Sequence, residues 1–278
     1  MEFGNYRIEV IPDSEFRLDG GAMFGVVPRV LWERVCPPDD LNRIKLNMNC
    51  LLIETPTEKI LIETGIGEKW SDKETQMYGI FRTKPFAQTL QEKTGCTPED
   101  ITIVVNTHLH FDHAGGNTIL DDNKNVVPQF PNARYFVSEP ELNHANNPHE
   151  RDRASYLNEN WQSLKKSGQL EPKPDEYEVV EGLTMHTVRG HSETMQTLKL
   201  TRNGKTLYGF ADLIPTTAHL PLPWIMGYDL YPTETLKAKK KLLKQAAEEN
   251  WTCLFYHDNS IPLCRLESVS GKIKPIKI

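Results

Sequence analysis

The 278-residue sequence contains no apolar run approaching the roughly 20 residues that a membrane-spanning helix needs. Its first residues also lack a basic segment followed by an apolar core, so we expect no signal peptide. The formal net charge of -6 lacks the positive excess that nucleic-acid binding requires. We therefore predict a protein that binds neither a membrane nor nucleic acid.

Cysteine is scarce and is not arranged as in disulfide-rich proteins. None of the cysteines forms a C-x-x-C motif, and their number is odd. They are Cys36, Cys50, Cys96, Cys253 and Cys264. This usage favours free thiols in a reducing compartment, so we expect a cytoplasmic location.

Linkers rich in proline or glycine are absent, and so are sequence repeats. The length suits one large domain or two small ones, and without a linker we predict a single domain over residues 1–278. One cluster of lysines is interpreted as the solvated face of a helix. It comprises Lys237, Lys239, Lys240, Lys241 and Lys244.

Turn residues and apolar periodicity predict a mixture of strands and helices. Asn203-Gly204 between two apolar runs is a strong signal for a tight β-hairpin. Residues 151–167 and 233–250 are predicted to be helical, the second of them capped by Thr233. Two sheets packed face to face with helices outside would bury the apolar faces of both sheets.

One stretch is much denser in metal-binding side chains than the rest of the chain. It contains His108, His110, Asp112 and His113. A β-branched run of buried-strand type precedes it at residues 101–105, and Gly115-Gly116 allows a sharp turn after it. Imidazole nitrogen and carboxylate oxygen are ligands that borderline divalent metals prefer. A polar surface loop is the alternative, but so dense a cluster after a buried strand has no use in packing.

Three more metal-type side chains follow apolar strand candidates elsewhere in the sequence. They are His191, Asp212 and His257. Four other histidines compete for the same role. We interpret His144 and His149 as surface residues, because their surroundings are polar, and His186 as part of a strand. His219 follows Asp212 closely and is predicted to support the ligands or to line the substrate pocket.

The H-x-H-x-D-H cluster together with these three residues resembles the metallo-β-lactamase-fold hydrolases, and the ordered set covers most of the chain. Residues 107–117 are most similar to the N-acyl homoserine lactonases and the methyl-parathion-hydrolase-like enzymes. Flavodiiron proteins differ at His110, true β-lactamases lack a counterpart of Asp212, and transfer-RNA 3′ processing enzymes carry an RNA-binding arm. The resemblance implies an α+β fold, a four-layer αβ/βα sandwich.

The resemblance also implies two divalent metal ions, zinc first, with iron, cobalt or manganese as alternatives. The first ion would be held by His108, His110 and His191. The second would be held by Asp112, His113 and His257, with Asp212 bridging both. A hydroxide shared by the metals would attack a lactone or ester carbonyl. Asp112 would pass the proton to the leaving alkoxide, and Tyr228 is the candidate for stabilising the oxyanion.

Apolar residues near the motifs predict a pocket wall that suits an acyl chain or an aromatic ester. The predicted pocket residues are Met23, Phe24, Val26, Trp32, Phe111, His219, Leu222 and Trp224. Two alternatives stay open: a thioester hydrolase resembling glyoxalase II, and a non-catalytic protein on the same fold that binds a small effector. The expected partners are a small-molecule substrate and a second copy of the chain, since dimers are common among the lactonases.

Overall fold

A computed structural model describes all residues, 1–278. Its strands in chain order are β1 (Glu2–Phe3), β2 (Tyr6–Asp19), β3 (Arg43–Glu54), β4 (Lys59–Ile62), β5 (Ile103–Val105), β6 (Thr118–Leu120), β7 (Val126–Pro128), β8 (Arg134–Ser138), β9 (Leu170–Lys173), β10 (Glu176–Val180), β11 (Leu183–Thr187), β12 (Gln196–Arg202), β13 (Lys205–Gly209), β14 (Thr252–Leu254), β15 (Leu263–Val269) and β16 (Lys272–Lys277). Its α-helices are α1 (Gly20–Phe24), α2 (Arg29–Trp32), α3 (Asp72–Tyr78), α4 (Phe86–Thr94), α5 (Phe111–Ala114), α6 (Glu139–Asn146), α7 (Gln162–Ser167) and α8 (Pro232–Glu248).

The strands form two seven-stranded sheets and a two-stranded ribbon. The first sheet has the order β1-β2-β3-β4-β5-β8-β9, the second runs from β10 to β16 in sequence order, and β6 pairs with β7. Both sheets are mixed, because β4, β5, β8 and β9 pair in parallel in the first sheet and β13 pairs in parallel with β14 in the second. The α+β class predicted from the sequence is confirmed.

The chain divides into two compact units, each built from two stretches of sequence. Unit 1 comprises Met1–Ser14 and Met48–Tyr177, and unit 2 comprises Glu15–Asn47 and Glu178–Ile278. The division falls within β2 and within β3. The single domain over residues 1–278 stays a prediction.

The core of unit 1 surrounds the short parallel strand β5. All three residues of β5 are buried, as expected for a strand with a parallel neighbour on each side. The helix predicted over residues 151–167 is mostly absent, since only α7 at its end is α-helical and short 3₁₀ turns precede it. Gly168 ends α7 in the left-handed conformation with φ of 76°.

Unit 2 contains the predicted β-hairpin. Arg202 pairs with Lys205 across a two-residue loop, and both loop residues have positive φ, 48° at Asn203 and 69° at Gly204. A two-residue hairpin loop with this backbone matches the twist of the flanking strands. The hairpin prediction is therefore confirmed.

Helix α8 packs against β15 and β16 of unit 2 and corrects two predictions. It begins at Pro232 after Tyr231, so Thr233 lies inside the helix and does not cap it. Lys239 is fully buried, whereas Lys237, Lys240, Lys241 and Lys244 are exposed as predicted. Lys239 lies on the same face as the buried Leu243, one helical turn away, which places it against the core. No helix of the structure combines the length and the apolar character that crossing a bilayer requires.

Candidate metal centre

The H-x-H-x-D-H motif follows the buried strand β5 and leads into the short helix α5. His110 has extended φ and ψ of −61° and 152° and is the N-cap of α5, whose first turns carry Asp112 and His113. The ring centroid of His108 lies 4.5 Å from that of His110 and 4.1 Å from that of His113. The ligand atoms of Asp112 and His113 lie within 4.8 Å of each other. The four predicted ligands of this stretch are thus buried together in unit 1.

Glu63 contacts this loop through both of its carboxylate oxygens. Its Oε1 lies 3.3 Å from Nδ1 of His113 and accepts a hydrogen bond of 3.1 Å from the backbone N–H of Thr107. Its Oε2 accepts a hydrogen bond of 3.3 Å from the Asn106 side chain. Glu63 is fully buried, and its φ of 62° is unusual for a residue with a side chain. A strained backbone held in place by such partners is typical of functional sites.

Close backbone contacts hold the turn that follows the ligands. A Cβ atom on Gly115 would lie 2.1 Å from the carbonyl oxygen of Ile66, so only glycine fits there. Lys69 donates hydrogen bonds of 2.6 Å to the Gly115 carbonyl and 2.9 Å to the Thr118 carbonyl. Burial lowers the pKa of Lys69 to about 8. Gly115, predicted to allow a sharp turn, therefore also allows the ligand loop to contact the backbone of Ile66.

In unit 2, Asp212 lies between two of the predicted ligands and offers a different oxygen to each. Asp212 Oδ2 is 3.4 Å from Nε2 of His191, and Oδ1 is 3.0 Å from Nε2 of His257. Asp212 follows β13 on a 3₁₀ turn that begins with Ala211 at φ of 47°. The structure therefore brings together the three predicted ligands of unit 2, all of them buried.

The other ring nitrogen of each of these histidines is held by an oxygen. Nδ1 of His191 lies 3.1 Å from Oδ1 of Asp229, whose Oδ2 accepts a hydrogen bond of 2.7 Å from Thr235. Nδ1 of His257 lies 3.0 Å from the backbone carbonyl oxygen of Asn47. A carbonyl oxygen only accepts, so Nδ1 of His257 carries a proton, and Nε2 is the ring nitrogen that faces Asp212.

This donor set fits a divalent cation. Nε2 of His257 faces a carboxylate oxygen of Asp212 at 3.0 Å, while Nδ1 is engaged by the backbone carbonyl oxygen of Asn47. A divalent cation bound by both atoms would take the place of a proton between them. Imidazole nitrogen with carboxylate oxygen is the chemistry of zinc and related ions. Supporting acceptors on the second ring nitrogen are characteristic of metal-binding histidines.

The residues that contact these histidines have little signal in the sequence. Asp229 lies 38 positions from His191, and neither that spacing nor its neighbours Tyr228 and Leu230 suggest a contact with a ligand. Glu63 directly follows the apolar strand β4, as Asp212 follows β13, and this position after a strand is the one signal that the sequence offers. The backbone oxygen of Asn47 carries no sequence signal, because any residue would supply it.

His219 and its neighbours form a packed aromatic cluster in unit 2. The His219 ring stacks on Phe24 at 4.6 Å, and Phe24 also stacks on Trp32 at 5.3 Å and meets Trp224 edge-on at 5.5 Å. Nδ1 of His219 lies 2.8 Å from Oγ1 of Thr216, and Nε2 lies 2.9 Å from the Met23 carbonyl oxygen. Burial lowers the pKa of His219 to about 4. His219 therefore has both ring nitrogens engaged within the core and is not a ligand.

The exposure of the predicted pocket residues differs widely. Met23, Phe24, Trp32 and His219 are almost completely buried in unit 2 and present little surface to a substrate. Val26, in contrast, is 93% exposed. The remaining predicted wall residues stay predictions, with Leu222 and Trp224 half-buried.

The structure also gives the environment of Phe111, Tyr228 and His144, three residues singled out from the sequence. Phe111 packs with Trp70 and Tyr78 in unit 1, at centroid distances of 5.4 and 5.0 Å. Tyr228 is 39% exposed and immediately precedes Asp229. His144 is not a surface residue: it is half-buried, with Nε2 2.8 Å from Oδ2 of Asp152.

Comparison with known proteins places these observations in a family. The family described as Metallo-beta-lactamase superfamily matches residues 44–257. An N-acyl homoserine lactonase of Bacillus cereus is 28% identical over 172 residues, 56% of this chain and 59% of that protein. The N-acyl homoserine lactonase of Bacillus thuringiensis is 25% identical over 235 residues, 77% of this chain and 82% of that protein. A probable metal-dependent hydrolase from Staphylococcus aureus superimposes with a TM-score of 0.91 and 29% identity, covering 100% of this chain and 99% of the other. The predicted fold is confirmed.

Proposed function

The chain belongs to the metallo-β-lactamase superfamily, and we propose that this metal-dependent hydrolase opens lactones of the N-acyl homoserine type at a centre of two divalent metal ions. The names of the Bacillus relatives support this substrate class. The observation that carries the proposal is the placement of Asp212, whose two oxygens face Nε2 atoms of two different histidines. A carboxylate placed in this way suits a bridge between two ions, because each oxygen has its own histidine partner.

The proposed ligand sets use all seven residues predicted from the sequence. One ion would be held by His108, His110 and His191, the other by Asp112, His113 and His257, and Asp212 would bridge them. Zinc is the first choice, because imidazole and carboxylate ligands suit it well. Glu63, Asp229 and the Asn47 carbonyl would fix the orientation of the histidines.

The chain's own residues would position the substrate and move the proton. Two bound divalent cations would lower the pKa of a shared water toward about 7 and polarise the lactone carbonyl. Asp112 would take the proton of the attacking water and deliver it to the leaving alkoxide. The hydroxyl of Tyr228 would donate a hydrogen bond to the carbonyl oxygen as negative charge develops on it.

The proposal also covers the biological role, the location and the assembly of the protein. Opening a signalling lactone would amount to quorum quenching. Five cysteines, none of them in a disulfide, support a reducing cytoplasm. A homodimer is the proposed assembly, by analogy with lactonases.

A substrate panel on protein of measured metal content tests the proposed function. It would compare N-acyl homoserine lactones, aryl esters, phosphotriesters and a thioester, S-lactoylglutathione. We expect the lactones to have the highest kcat/KM, and Asp112→Asn to lower kcat by roughly 10² to 10⁴. Asp122→Asn, at an exposed acid, is the matched control. Fastest turnover of the thioester would instead favour the hydrolase resembling glyoxalase II. A protein without metal or turnover would favour the effector-binding alternative.

A further inference from the structure

A groove of about 740 Å³ opens in unit 2 between α8 and the β15–β16 hairpin. It is lined by Leu220, Pro221, Leu222, Lys240, Leu243, Lys244, Ala247, Glu248, Ser268, Gly271, Lys272, Ile273 and Lys274. None of the seven proposed metal ligands is among these residues. The volume lies within the roughly 300–1,000 Å³ typical of small-molecule sites.

The floor of the groove is apolar. Leu220 and Leu243 are buried at its base, and Leu222, Ala247 and Ile273 are half-buried along its walls. Such a surface would gain free energy by covering an alkyl chain and removing it from water. Leu222, predicted from the sequence as a wall of the substrate pocket, lies here.

The rim of the groove is positively charged. Four exposed lysines, two from α8 and two from β16, surround the apolar floor, and Glu248 is the one acidic residue among the lining residues. The lysines are Lys240, Lys244, Lys272 and Lys274. Lys244 lies 3.8 Å from Glu248, whereas the other three form no ion pair in the structure. The local charge is thus opposite in sign to the net charge of -6.

One edge of the groove is fixed by the buried Lys239. Its ammonium group donates hydrogen bonds to the carbonyl oxygens of His219, Pro221 and Trp224, at 2.7, 3.0 and 2.7 Å. These bonds tie residues 219–224 to α8, so the groove is formed before any ligand arrives. A preformed site avoids the conformational cost of ordering a loop on binding.

We propose that this groove binds a fatty acid, with the alkyl chain on the apolar floor and the carboxylate among the rim lysines. An apolar floor with a cationic rim complements an amphipathic anion. A nucleic acid would leave the floor uncovered, and a bilayer surface would not enter a concave groove. The inference is independent of lactone hydrolysis, because the groove contains none of the proposed ligands.

Calorimetric titration of the full-length, metal-loaded protein with sodium dodecanoate, below the micellar concentration, tests this inference. We expect saturable binding of dodecanoate and none of dodecyltrimethylammonium, which has the same chain and the opposite charge. The double variant Lys240→Gln/Lys272→Gln should weaken binding roughly fivefold, since two exposed charge interactions are removed. Ile273→Glu, which places a charge in the floor, should weaken it further.

Matched controls separate this groove from other sites. Lys237→Gln/Lys241→Gln removes the same charge from exposed positions of α8 outside the groove, and should leave the dodecanoate affinity unchanged. Lactone hydrolysis by Lys240→Gln/Lys272→Gln should equal that of wild type. Weaker dodecanoate binding in the same variant then comes from the groove and not from carboxylate binding at the metal centre. Equal affinity in wild type and the groove variants would overturn the proposal. So would equal binding of the cationic amphiphile, or binding to anionic phospholipid vesicles without binding of dodecanoate.

Discussion

Asp229 acts on the proposed metal centre through His191 and would not touch the metal itself. Its Oδ1 lies 3.1 Å from Nδ1 of His191, and its Oδ2 is held by Thr235 at 2.7 Å. Both oxygens are therefore fixed, and they fix the histidine ring in turn. Residues of this kind set the tautomer and raise the basicity of a ligand.

Replacing Asp229 should therefore weaken metal binding while leaving the ligands present. We expect Asp229→Ala to lower metal affinity by roughly 10- to 100-fold, measured by competition with a chromophoric chelator. Excess metal should restore part of the activity, as expected for a positioning residue. Asp122→Ala is the control, because Asp122 is exposed. An unchanged metal affinity in Asp229→Ala would show that His191 needs no such support.

His219 should make the folded protein sensitive to acid. Its pKa is lowered by burial from 6.5 to about 4 in the fold, so between these values the unfolded chain binds more protons. The stability contributed by neutral His219 is present above pH 6.5 and is lost as the pH falls toward 4. The loss is on the order of 3 kcal/mol. Denaturant unfolding from pH 7 to 4 should show a shallower decline for His219→Gln than for wild type, and parallel curves would contradict this.

The sequence indicated the proposed ligands more clearly than the residues that contact and orient them. The ligands are recognisable because histidine and aspartate are crowded within residues 108–113 or follow apolar strands. Glu63 and Asp229 are common acidic residues, and only the fold shows which imidazole each one faces. The burial of His219 was equally invisible, because a histidine after a polar segment gives no sign of stacking on Phe24.

At the scale of elements, the turn after β4 and the ligand loop touch backbone to backbone. Thr64 donates its backbone N–H to the His113 carbonyl at 2.9 Å, and Gly116 donates to the Gly65 carbonyl at 3.2 Å. Gly115 has an ordinary helical φ of −59°, so its requirement for glycine is steric. The position of α5, and with it of Asp112 and His113, depends on this contact.

A methyl group at Gly115 should disturb this contact. We expect Gly115→Ala to destabilise the protein by about 1–3 kcal/mol and to weaken metal binding, because the carbonyl of Ile66 must move. Gly95→Ala is the control: its φ of 79° imposes strain of about 1 kcal/mol, but no atom lies near the new Cβ. Unfolding and metal-binding titrations measure both effects. Full metal affinity in Gly115→Ala would show that the contact does not position the ligands.

Elements with a local signal were predicted, and those defined by tertiary contacts were not. The hairpin at Asn203-Gly204 follows from turn chemistry alone and is confirmed. Residues 151–167, predicted as one helix, form two short 3₁₀ turns and the short helix α7, because polar composition alone does not ensure a continuous helix. Lys239 was placed on a solvated face, because the three carbonyl oxygens that bind it come from residues 219–224.

In the whole molecule, the seven predicted ligands form two groups along the chain. Unit 1 carries His108, His110, Asp112 and His113, and unit 2 carries His191, Asp212 and His257. The order of these residues along the chain was enough to indicate the superfamily. The choice of substrate depends on side chains far apart in sequence, and Phe24 and Trp32, predicted for the pocket wall, are buried in the fold.

Lactone hydrolysis measured against added zinc tests whether the chain works through two metal ions. Protein stripped of metal by a chelator is titrated with zinc, and the opening of an N-acyl homoserine lactone is followed at each addition. We expect no turnover without metal, and activity that reaches its maximum at about two equivalents of zinc per chain. Full activity at one equivalent, or the absence of lactone hydrolysis in protein that holds two, would contradict it.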